Sequence, residues 1–183
     1  MGTCIYGIIV HIVAYATSVG ITAISAVTII AIAGATNIPG RFVTGGLIDR
    51  IGSRVVLVIA LVLMLCALVL LQLSKELWIL YLFGAILDFA WSGVVVHSPM
   101  TAQFFGLSSH GVLVGFIEIG FMVGVAIGPV LMGHMFDVAG SYKLAFLALT
   151  AVASVGLILA LLLGRSSGLR INHSKLGNKG TDG

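Results

Sequence analysis

Apolar residues run along this chain in long, nearly unbroken stretches, separated by short polar or glycine-rich interruptions. Each stretch approaches the ~20 residues that a helix needs to cross hydrocarbon. Glycine, proline and charge divide the chain into six predicted helices. The first runs from about Gly2 to Val19 and ends at Gly20-Ile21-Thr22. The second covers about Ala23 to Ile48 and stops at the charged stretch from Asp49 to Arg54. The third, Val55 to Leu73, is almost purely aliphatic, and Ser74-Lys75-Glu76 separates it from the fourth, Leu77 to Phe105. The polar turn Gly106 to His110 leads into the fifth, Gly111 to Phe136, and Asp137 to Ser141 into the sixth, Tyr142 to Gly164. Strands of a membrane barrel would show ~10-residue segments of alternating polarity, a pattern these runs lack.

Composition fixes the setting of these helices. Hydrophobic residues make up 60% of the 183 and charged residues 8%, a balance that would leave a water-soluble domain covered in apolar patches. The predicted class is therefore an all-α polytopic membrane protein, with a transmembrane bundle over 1–164. The polar, basic segment 165–183 cannot bury apolar surface and is expected to be a disordered tail. Arg50 and Arg54 share a side with the tail's Arg165, Arg170, Lys175 and Lys179, whereas the opposite loops carry Lys75 and Lys143. The positive-inside tendency puts the Arg50 loop and both termini in the cytoplasm, in the cell (inner or plasma) membrane. The basic residues form no patch with interleaved aromatics, so nucleic acid is not an expected partner. Cys4 and Cys66 lie in apolar runs and read as buried thiols. The N-terminal stretch lacks a basic leader and contains His11, Tyr6 and Tyr15, unlike a cleavable signal peptide.

One short pattern occurs twice. Gly45-x-x-x-Asp49-x-x-Gly52 closes the second helix and Gly133-x-x-x-Asp137-x-x-Gly140 closes the fifth. Three crossings separate them, so the copies fall on opposite membrane faces, as two three-helix repeats of inverted topology require. The glycine is expected to permit close helix approach. The aspartate is expected to accept from a neighbouring helix N-terminus or a basic side chain.

Gly45-x-Leu47-x-Asp49-Arg50-x-Gly52-x-Arg54 resembles the signature loop of the major facilitator superfamily. The stretch Gly128-Pro129 through Gly133, Phe136-Asp137 and Gly140-Ser141-Tyr142 is similar to the ending of that family's eleventh helix. Val10 to Ala16 with Gly20-Ile21, and Asn37-Ile38-Pro39-Gly40-Arg41, resemble the seventh and eighth helices of its monocarboxylate and oxalate/formate branch. The resemblance implies the C-terminal six-helix half of a twelve-helix transporter. A partner then follows, either an N-terminal half or a second copy in a homodimer.

Ionisable groups inside a span are costly and tend to face a cavity. Arg41 lies roughly 10 Å along the second helix from Arg50 at 1.5 Å per residue, and a guanidinium there can grip a carboxylate through two parallel hydrogen bonds. The resemblance implies that role for it, since monocarboxylate-type members bind the substrate's carboxylate with an arginine in this place. Asn37, one turn earlier, is a candidate for the same cavity or for a helix–helix hydrogen bond, and His11 for a pore-lining donor or a structural group. Asp88 and Glu118 are candidates to carry a coupled proton or to neutralise Arg41. Gly111, Gly115, Gly120, Gly124 and Gly128 mark a close-packed face, directed at the second helix, while Pro39 and Pro99 are expected to kink their helices.

These features point to secondary transport of small organic anions, monocarboxylates in particular, by alternating access, as symport or antiport. No nucleophile–base pair, cofactor loop or metal-ligand spacing is present, so neither enzyme chemistry nor a cofactor is expected. The alternatives are a truncated half-transporter or regulatory membrane subunit that does not itself transport, and transport of a drug or sugar.

Overall fold

The computed structural model describes residues 1–73 and 76–177 along the backbone, with side chains described to residue 162 apart from 105. Every regular element among them is a helix: α1 (Gly2–Ser18), α2 (Ala23–Ile51), α3 (Ser53–Leu73), α4 (Leu77–Trp91), a 3₁₀ segment (Ser92–Val96), α5 (His97–Phe105), α6 (His110–Ala139) and α7 (Lys143–Gly177). Counting α4 through α5 as one crossing, five spans are long and apolar enough to traverse a bilayer. At 17 residues α1 is the short sixth, at the lower bound of what hydrocarbon requires.

The helices depart from the sequence expectation in three places. The Asp49–Arg50 stretch is not a loop; α2 continues to Ile51 and α3 restarts at Ser53, so Gly52 alone turns the chain. Gly52 has φ +84 and donates its N–H to Ile48 O at 3.0 Å. Gly140, the matching glycine of the second copy, has φ +64 and donates to Phe136 O at 2.8 Å, four residues back in both cases. The last glycine of the repeated pattern is thus a helix C-cap in a conformation that side chains with a Cβ resist. The fourth span, expected to be continuous with a kink at Pro99, breaks earlier, over Ser92–Val96. Pro99 has no N–H to offer the Val95 carbonyl, and the β-branched run Val94-Val95-Val96 holds a helix weakly. The sixth helix passes the expected end at Gly164 and reaches Gly177. The side chains of the expected tail, and residues 178–183 altogether, lie outside the described residues.

The two halves of the bundle pack as inverted repeats. With α1–α3 as one unit and α4/α5, α6 and α7 as the other, the first helix of each lies along the second of the other: α1 on α6 and α2 on α4. The third helices, α3 and α7, meet each other. The core between them is filled by Ile5, Ile8 and Ile12 of α1, Met64, Leu68 and Leu71 of α3, and Leu80 and Phe83 of α4.

Small residues set the closest crossings. A Cβ on Gly128 would collide with the Thr3 carbonyl oxygen and lie 3.1 Å from Gly7 N; one on Gly2 would sit 2.6 Å from Phe121 O. The glycine face of α6 therefore meets α1, not α2, and only its later members take part. Cβ atoms on Gly111, Gly115 and Gly120 would meet open space. The same holds for Gly45, which mediates no close approach among the described residues, and Gly133 is only in ordinary contact with His11. Of the cysteines, Cys4 is buried and donates to Leu149 O at 3.6 Å, whereas Cys66 is exposed on the outer side of α3, against expectation.

Gly128→Val forces α1 away from α6 and should lower stability by about 1–3 kcal/mol, the usual cost of overpacking. Gly120→Val, on the open part of the same helix, should stay within about 0.5 kcal/mol. Unfolding in detergent micelles compares the two, and equal stabilities would exclude this crossing as the chief constraint.

Candidate functional site

The residues of the candidate site come from α2 and α4, held together at the fourth span's break. Gly40 brings α2 against that break: a Cβ there would lie 3.3 Å from Ser92 and Phe89. Gly84 allows the matching approach one level away, where a Cβ would be 3.1 Å from Ile29 O. Thr44 and Ser92, both buried, share a hydrogen bond at 2.6 Å, and Ser92 Oγ donates to Phe89 O at 2.5 Å. The hydroxyl pair supplies the polar contacts that an interrupted helix needs in lipid.

Above this clamp three polar groups gather. Arg41 Nε donates to Asn37 Oδ1 at 2.9 Å, one turn apart on α2. Asp88 of α4 is 3% exposed, and its carboxylate interacts with the Asn37 side chain and with the charge of Arg41. Asn37 Nδ2 and Asp88 Oδ2 are buried without a well-formed hydrogen bond, as is His110 Nδ1 elsewhere, and the first two belong to side chains that interact with each other. Buried polar atoms without partners are rare in folded proteins, and they are expected where a ligand or a proton completes the site. Arg41 itself is exposed, beside an open depression that also involves Asn37, Ile38, Phe42 and Val95. Asp88 in turn lines a separate cleft of about 300 Å³ between α1, α2 and α4.

The other predicted residues lie elsewhere. His11 bridges α1 to the α6 end: Nε2 lies 3.0 Å from Pro129 O and Nδ1 lies 3.3 Å from Tyr142 Oη. A carbonyl only accepts, so Nε2 carries the proton and Nδ1 accepts from the Tyr142 hydroxyl. Burial, with the Asp137 carboxylate adding to it, raises the Tyr142 phenol above its ordinary value and keeps that donor protonated at neutral pH. His11 is thus committed to a helix–helix joint and does not join the Arg41 group. Glu118 pairs with His97 of α5, Oε1 to Nδ1 3.3 Å, and not with Arg41. Asp49 and Asp137 are exposed and form no ion pair among the described residues, where the acceptor role expected for both carboxylates is not found. Arg50 is exposed as well, and the Arg54 guanidinium lies 4.9 Å over the Phe104 ring.

Residues 1–180 match the family described as Major Facilitator Superfamily. The chain belongs to it. A comparison with curated proteins gives no match. Membership in the Major Facilitator Superfamily makes this an integral membrane protein of a transport family, and the inverted packing of the two three-helix units is the half-fold of that superfamily.

Sequence reasoning overlooked the Thr44–Ser92 clamp and the partnership of His97 with Glu118. Ser92-Gly93 before three valines, and His97-Ser98-Pro99 directly after them, were the available signals for a break in this span.

If His11 is a joint and not a binding group, His11→Ala should cost about 1–3 kcal/mol of stability, the range for stranding a buried hydrogen-bond partner. Ligand affinity of the folded fraction should not change. An intact melting curve with altered ligand affinity would return His11 to the binding site.

Proposed function

We propose that this chain performs secondary transport of small organic anions, monocarboxylates in particular, with Arg41 and Asn37 as the anion-binding pair and Asp88 as the proton carrier. The observation that supports this reading most is the meeting of Arg41, Asn37 and Asp88, with a buried atom on each of the last two that lacks a well-formed hydrogen bond. An ionised Asp88 competes with a bound carboxylate for the Arg41 charge. A proton on Asp88 removes the competitor and leaves the guanidinium free to hold the anion. Anion and proton then load together, which is the logic of symport, and either can leave only after the other has loosened its hold. With Asp88 keeping its proton through the cycle, an exchange of anions without net proton movement is the accessory mode. The fifth span, Gly111 to Phe136, carries no lysine to hold a second carboxylate, which favours a singly charged substrate.

Alternating access in this reading uses the break at Ser92–Val96 as the bending point of the fourth span. The outer faces of α2 and α6 are left for a partner: α6 buries only Gly128 and Met132 among its described side chains. That partner is an N-terminal six-helix half or a second copy inserted in parallel about a two-fold axis. The whole lies in the cell membrane with both termini in the cytoplasm, following the basic residues of the Arg50 end.

Arg41→Ala should lower the uptake of labelled lactate into proteoliposomes at least ~10-fold, the equivalent of one charge-assisted hydrogen bond, with insertion unchanged. Asp88→Asn should keep lactate–lactate exchange while losing acceleration by an inward proton gradient. Wild-type kinetics in the Arg41 variant would refute the site, and a gradient response in Asp88→Asn would move the proton elsewhere.

A further inference from the structure

The cleft beside Asp88 has a direction. Along α2 its wall is Ile29, Ile30, Ala33 and Gly34, and the next positions on the same helix toward Gly52 are Asn37 and Arg41. From Ile30 to Asn37 is about 10 Å at the helical rise. On the opposite wall Phe83 and Leu87 precede Asp88, again with the apolar residues toward one end and the polar one toward the other. Ile9 and Ile12 of α1 close the apolar part, and Tyr6 and Trp91, packed edge to face at 5.5 Å, close the part nearest Asp88. Asp88, 3% exposed, is the one charged residue of the cleft wall, and Asn37 and Arg41 continue the α2 wall beyond the cleft's polar end, where they line the open depression.

From this geometry we infer that the substrate is an amphipathic monocarboxylate, with its carboxylate at Asn37, Arg41 and Asp88 and an aryl or branched-alkyl body in the cleft between α1, α2 and α4. The inference rests on the organic-anion reading and narrows it. A two- or three-carbon acid such as acetate or lactate engages the polar end alone and leaves the apolar compartment of about 300 Å³ unused. A body of one ring fills it, and apolar contact with Ile9, Ile12, Ile29 and Phe83 adds affinity that the small acids cannot gain. Asp88 faces the cleft with no well-formed hydrogen bond at Oδ2, so in its protonated form it donates to the second carboxylate oxygen of a ligand held by Arg41.

Equilibrium binding of labelled acetate, lactate and phenylacetate to the full chain in lipid nanodiscs tests this. Phenylacetate should bind at least ~10-fold more tightly than lactate, a ratio that two additional buried methylenes already supply. Ala33→Phe, which fills the cleft, should remove that preference and leave lactate affinity within about twofold of wild type. Gly34→Leu, at a position where an added Cβ meets open space, serves the same purpose should the larger ring hinder folding. Equal affinity for lactate and phenylacetate, both lost in Arg41→Ala, would overturn the inference while the anion site stands. A phenylacetate preference that survives both filling variants would overturn it too. Absence of any Arg41-dependent carboxylate binding would overturn the organic-anion reading and this inference together.

Discussion

Close backbone approach at glycine is the constraint on which this bundle depends. In lipid the apolar side chains have no water to escape, so helices associate through packing and hydrogen bonds in place of the hydrophobic effect. Gly2, Gly7, Gly124 and Gly128 let α1 and α6 touch along their backbones, Gly84 lets α4 meet the backbone of α2, and Gly40 admits the Phe89 and Ser92 side chains against α2. These are equivalent contacts of the two inverted repeats. The pair on α2 and α4 also fixes the site, because it brings Asn37 and Arg41 of one helix level with Asp88 of the other.

The polar chemistry is distributed according to what each group must satisfy. His11, with both ring nitrogens engaged by Pro129 and Tyr142, ties the ends of α1 and α6 to the turn before α7. Thr44 and Ser92 serve the interrupted fourth span, where the backbone departs from α-helical bonding. His97 and Glu118 satisfy one another between α5 and α6. Asp88 and Asn37 differ in standing together beside the Arg41 charge, each with a buried atom that lacks a well-formed hydrogen bond. That contrast separates the candidate site from the structural polar residues more sharply than burial or charge does.

Long stretches of apolar residues and 8% charge required a helical membrane bundle, because lipid admits no other backbone that closes its hydrogen bonds within each segment. The repeated Gly-x-x-x-Asp-x-x-Gly spacing announced the inverted repeat, whereas the role of its final glycine as a cap at positive φ, at Gly52 and Gly140, came only with the structure. Arg41 with Asn37 was legible too, since the two are one helical turn apart and local spacing alone makes them neighbours. Which helix each glycine face meets, which acid stands near Arg41, and whether a histidine binds or braces were not. All three are contacts between helices distant in sequence. Tertiary packing put α6 against α1 and chose Asp88 over Glu118 as the companion of Arg41; it also spent His11 on a joint. The identity of the spans follows from the chain's own chemistry with lipid, whereas the pairing of their polar groups follows from crossings that no single helix encodes.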